Sequence, residues 1–213
     1  MAIFFALFFL AGCGGHARAL RATMQGLVPW HQNVSQRAAE LPYASIDLLV
    51  NGHGGLLVLA ELSQGNAYFQ SANRNTIVMH NGYLDQATGA KTELLMTRLH
   101  RANGRLDRPP WRSAEGGVPF EYLVQRLWRT FDGTLHAGQA QATLVCETVA
   151  TERKLPLASL SLQRCRESLL WSNGATTQST LWRDPVDQRL WAVQTVPWPD
   201  APEFQWQVAR PWW

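Results

Sequence analysis

Charge is scarce in this chain and forms no block of one sign: Asp, Glu, Lys and Arg make up 16% of residues, and the formal net charge is +3. A nucleic-acid surface, which needs a dense basic stripe, is therefore not expected. Long apolar runs are also lacking. The one continuous stretch, Ala2 to Leu10, is too short to span a bilayer as a permanent helix but matches the apolar core of a signal peptide. Catalytic signatures are missing as well. There is no Gly-x-Ser-x-Gly elbow, no His-Glu-x-x-His pair, no phosphate-binding Gly-Lys-Ser/Thr loop and no Cys-x-x-Cys. Gly52-His53-Gly54-Gly55 reads as a turn, and His80 as a half-buried residue closing a strand. Glu121, Asp132, Glu147 and Glu152 have no spacing that selects a pair for sugar cleavage. No catalytic residue is assigned and the chain is expected not to be an enzyme. No cofactor is expected, and no metal either, since Cys146 and Cys165 have no Cys or His at ligand spacing.

Cysteine is rare, with three in all, and each has a reading. Leu10-Ala11-Gly12-Cys13 follows the apolar run directly and looks like the lipobox of bacterial lipoproteins. In that motif the cysteine thiol is diacylglycerated, the peptide is cut before it and the new amino terminus is acylated. Small residues suit the motif because two membrane enzymes must reach the backbone there. Residues 1–12 then form the signal peptide, 13–23 a lipidated tether and 24–213 a single β-rich periplasmic domain, with the membrane reached through lipid on Cys13. Gly14, rather than Asp, follows the cysteine, and by the sorting habit of enteric bacteria that resemblance points to the outer membrane. An even pair remains, Cys146 and Cys165. In an oxidising periplasm it reads as a disulfide, with two buried reduced thiols as the alternative.

Alternating apolar residues and turn signals dominate the rest. The spacing of Leu20, Met24 and Leu27, and then Ser35 to Glu40, predicts short helical turns before Pro42. Strands are predicted at 43–50, 56–62, 67–71, 76–80, 120–131, 142–150, 160–171, 177–183, 190–196 and 204–208, with turns at Asn51 to Gly55, Asn81-Gly82, Asp132-Gly133 and Asp184 to Asp187. Residues 94–100 fit a helix or a strand. The segment 89–110 is irregular and carries Lys91, Arg98, Arg101, Arg105 and Arg108. So many strands with almost no crossover helix imply an all-β fold with antiparallel pairing: a β-meander forming a partly open barrel or strongly curved sheet, with a short N-terminal helix.

The chain holds 10 tryptophans, more than a core of this size needs. Indole rings stack on sugars and anchor protein interfaces. Trp182 and Trp191, inside strands, are expected in the core. Trp198, Trp212 and Trp213, beside prolines near the end, are the candidates for glycan or partner contact.

Several stretches together resemble a known family. They are Leu41-Pro42-Tyr43-Ala44-Ser45-Ile46, Leu56-Leu57-Val58-Leu59-Ala60-Glu61, Ser71-Ala72-Asn73, His80-Asn81-Gly82-Tyr83-Leu84, Leu181-Trp182-Arg183-Asp184-Pro185 and Val208-Ala209-Arg210-Pro211. With the lipobox, this order is similar to the YjbF/GfcB family, the lipoproteins of exopolysaccharide and group 4 capsule operons. The resemblance implies a non-catalytic outer-membrane lipoprotein facing the periplasm. It would assist secretion beside an outer-membrane β-barrel and a periplasmic β-rich protein of the same operon. Two other roles are open from the residues alone: a polysaccharide-binding module with an aromatic groove, and a lipid or lipoprotein carrier with a half-open barrel.

Overall fold

A computed structural model of the chain describes residues 34–102 and 104–213. Cys13, the apolar run before it and the helical spacing of Leu20 to Leu27 lie outside them. A short helix, α1 (Val34–Glu40), precedes the strands β1 (Ser45–Val50), β2 (His53–Ser63), β3 (Asn66–Gln70), β4 (Thr76–His80), β5 (Tyr83–Thr88), β6 (Glu93–Arg101) and β7 (Gly104–Arg105). A four-residue helix, α2 (Pro110–Ser113), separates these from β8 (Phe120–Arg129), β9 (Leu135–Lys154), β10 (Ser159–Trp171), β11 (Thr176–Arg183), β12 (Leu190–Thr195) and β13 (Phe204–Arg210). Neighbours along the chain pair antiparallel except β7 and β8; β1 also pairs with β13, and β8 pairs with β6.

The fold is all-β, but the barrel is closed rather than partly open. β5 and β6 pair through Ala87 and Leu94, so 12 strands complete the circle and β7 hangs from β6 as an extra strand. Closure removes the two free edges that a curved sheet would leave exposed to other chains. The ambiguous segment 94–100 is β6.

Two further boundaries differ from the reading above, each for a local reason. β2 starts at His53, leaving Asn51 and Gly52 as a two-residue turn with positive φ at both. Gly54 belongs to the ladder because β1 runs too close for any side chain: a Cβ there would lie 1.9 Å from the Leu48 carbonyl oxygen. β9 starts at Leu135, earlier than expected, because its first inward residues are small and give little apolar signal. Gly138, Ala140 and Ala142 pair with Arg126, Val124 and Tyr122. They leave room for bulk on the opposing strand; a Cβ on Gly138 would meet Trp128 at 3.0 Å and Trp171 at 3.1 Å.

Both mouths of the barrel are filled from inside. At the end where α1 joins β1, Trp111 of α2 is 1% exposed and stacks on Tyr83 with ring centroids 5.0 Å apart. Buried Arg183 holds that loop by donating to the carbonyls of Trp111 and Ala114. At the far end Trp198, in the β12–β13 connection, is 2% exposed and stacks on Trp128 at 5.8 Å. Trp198 is therefore a plug and not the exposed contact that its neighbouring prolines suggested: its ring is taken up by Trp128 and Phe204 at the mouth. Between the plugs, Glu167 accepts from Tyr83 and Ser179 at 3.0 and 2.7 Å and from Tyr122, while Arg126 donates to the Tyr83 hydroxyl at 2.9 Å and to the Pro197 carbonyl.

Trp182 and Trp191, expected in the core, are half-buried. They pack on a smaller cluster of Leu155, Leu162 and Ala192, with the Arg153 guanidinium 3.7 Å above the Trp182 ring.

Cys146 and Cys165 stand directly opposite each other on β9 and β10, fully buried, and form a disulfide. The bond closes a loop across 19 positions, which restricts the unfolded chain by about 3 kcal/mol on the entropy model. A Cys146→Ala/Cys165→Ala double variant should melt about 6–12 °C lower in a calorimetric scan. An unchanged Tm would show that the ladder alone sets the stability there.

Candidate functional site

Beyond the Ala87–Leu94 pair, β6 shifts register between Leu94 and Met96 and separates from β5. A side chain replaces the missing rung: the Thr97 amide donates to Asp85 Oδ1 at 3.3 Å. Burial pushes the Asp85 carboxyl up, against the lowering effect of that hydrogen bond. The β6–β7 hairpin and the Pro109-Pro110 turn flank the gap, leaving a cleft of about 780 Å³. Its size is that of a small-molecule site.

Buried Tyr83, Leu84 and Trp111 are among the residues that line the cleft, with His80, Asp85, Arg98, His100, Arg105, Asp107 and Arg108. His80 is tied to Asn66 Oδ1 at 2.7 Å. Arg98, Arg105 and Arg108 are exposed, and none has a side-chain hydrogen bond or ion pair among the described residues. The sequence showed these arginines only as charge in an irregular stretch. Their common signal was the lack of a matching acidic run, but nothing local placed them around one opening.

Two of the three candidate tryptophans do meet. Trp212 packs edge-on against Phe69 at 4.9 Å and against Trp213 at 4.4 Å; Trp213 also meets Trp191 at 5.2 Å and is 40% exposed. With Leu62, Asn81, Arg112 and Arg189 they line a cleft of about 380 Å³ at the α1 end. Both indoles are only partly free for contact there, because the pair is anchored to the barrel. The four carboxylates weighed for sugar cleavage include two with their own structural tasks. Glu147 accepts from Arg164 Nε at 2.7 Å, and Asp132 is held down at about 2 by hydrogen bonds from Thr130 and Thr134 in its own turn. His53 contacts the Asn51 carbonyl at 2.9 Å in the β1–β2 turn.

No protein-family model matches the chain, and no curated protein matches it. Among solved structures, the fold is similar to the crystal structure of the hypothetical lipoprotein YmcC from Escherichia coli K12. The TM-score is 0.72 at 16% identity, over 91% of this chain and 94% of that one. The likeness extends across the whole barrel and is one of fold.

Proposed function

We propose that this chain is a non-catalytic lipoprotein, anchored through Cys13 to the bacterial outer membrane and facing the periplasm. There it assists exopolysaccharide or capsule secretion by docking to other export components. What carries the reading is a lipobox joined to a barrel of the same fold as an E. coli protein described as a lipoprotein. The segments similar to the YjbF/GfcB family support the link to polysaccharide export, with the operon's outer-membrane β-barrel and periplasmic β-rich protein as partners. Each acyl methylene on Cys13 adds about 0.8 kcal/mol of membrane affinity, and three chains exceed what stable anchoring needs.

The carrier reading is disfavoured by the filled interior. Arg126, Tyr83, Glu167 and the two tryptophan plugs occupy the space that acyl chains would require. The surface is left to do the work, as docking or as glycan contact.

Fractionation tests the anchor. The wild-type protein should partition with the outer membrane, and Cys13→Ser should keep its signal peptide and leave that fraction. Equal partition and migration of the two would reject the lipoprotein reading. Deletion of the gene should then stop polymer reaching the cell surface, and restoration by the Cys13→Ser form would remove the anchor from the mechanism.

A further inference from the structure

Where β5 and β6 part, the cleft offers many donors and few acceptors. Arg98, Arg105 and Arg108 present guanidiniums with no side-chain partner among the described residues, against the two carboxylates of Asp85 and Asp107. Such a site favours a ligand dense in acceptor oxygens and negatively charged, since guanidinium groups bind carboxylates in planar, bidentate fashion.

We propose that this cleft binds a stretch of acidic saccharide, with Arg98, Arg105 and Arg108 engaging its carboxylates. The proposal rests on the export reading for its choice of a sugar over other anions. It moves the polymer contact away from the C-terminal tryptophans to the seam of the barrel. Saccharides are held by directional hydrogen bonds at a rigid wall, and the Trp111 loop, clamped by Arg183, supplies one.

The test uses full-length lipidated protein in an uncharged detergent, titrated calorimetrically with trigalacturonate, maltotriose and inorganic phosphate. Trigalacturonate should bind saturably, weaken as salt rises, and lose at least tenfold affinity in the R98A/R105A/R108A variant. Arg166→Ala, an exposed change outside this cleft, should bind as wild type. The three arginines make no side-chain hydrogen bond or ion pair among the described residues, so the melting temperature should not move; Arg108→Glu alone, expected to weaken binding, provides an independent check.

Absence of trigalacturonate binding, equal binding of maltotriose, or an unaffected triple variant would overturn the proposal. Phosphate displacing the sugar at equal affinity would overturn it too, by showing a simple anion site shared with phosphate or lipid headgroups. None of these results bears on the anchor, which stands or falls on the Cys13→Ser fractionation.

Discussion

Replacing Glu167 by alanine is expected to destabilise the barrel by about 3–5 kcal/mol, the range for breaking a buried charge network by removing one partner. Its carboxylate is 1% exposed and accepts from Tyr83, Tyr122 and Ser179, and Ser179 is within 2.9 Å of Thr195. Without it, three hydroxyls lose their acceptor. Arg126, 1% exposed, keeps a charge balanced only by neutral groups, the Tyr83 hydroxyl and the Pro197 carbonyl. Glu167→Gln preserves volume and one acceptor oxygen, so its loss should be clearly smaller. The double change Arg126→Met/Glu167→Leu should recover part of the stability, because apolar groups of similar size need no compensation. Urea midpoints of the four proteins decide the matter: a loss below about 1 kcal/mol for Glu167→Ala would show that the network is incidental to folding.

The same network predicts a weakness in alkali. Tyr83 and Tyr122 are held well above the ordinary tyrosine range, first by burial and then by the neighbouring Glu167 charge. A group whose folded pKa is raised contributes fully below its unfolded value of about 10 and loses that contribution above it. Stability should therefore fall as pH climbs past about 10. Phenolate absorbance from these two rings should appear only with unfolding.

Trp198→Ala should cost about 3–5 kcal/mol, the usual loss when a buried tryptophan is truncated. Its ring contacts Trp128 and Phe204, and Trp128 in turn meets Trp171 at 6.2 Å, so a cavity opens at the far mouth and the stack beneath it loosens. Trp213→Ala should cost about 1 kcal/mol, since that ring is partly exposed and loses mainly its aromatic pair contacts. Equal losses for the two would contradict the assignment of Trp198 as a plug. Membrane partition should be unchanged in both, because neither residue is part of the lipidation motif.

The contrast between these tryptophans shows how far local pattern carries. Both stand within two residues of a proline, and a proline shows that the chain turns, not whether it turns over a mouth or into solvent. Trp111 illustrates the same limit. It lies in an irregular charged stretch, yet it is among the most buried residues of the protein. Its ring stacks on Tyr83, and its loop is held by Arg183, 72 positions later.

From the sequence alone came the antiparallel strands and the Asn81-Gly82 turn, since apolar alternation has period two and turn residues announce themselves locally. The pairing of Cys146 with Cys165 was legible as one of two alternatives, because an even pair of cysteines in an oxidising compartment has one partner each. Closure at Ala87–Leu94, the plugs at both mouths, the Tyr83–Glu167 network and the arginine-lined cleft were decided only by tertiary structure. Each joins residues far apart in the chain, and the free energy that selects them comes from desolvation and packing in a shared interior, to which no local window of sequence has access.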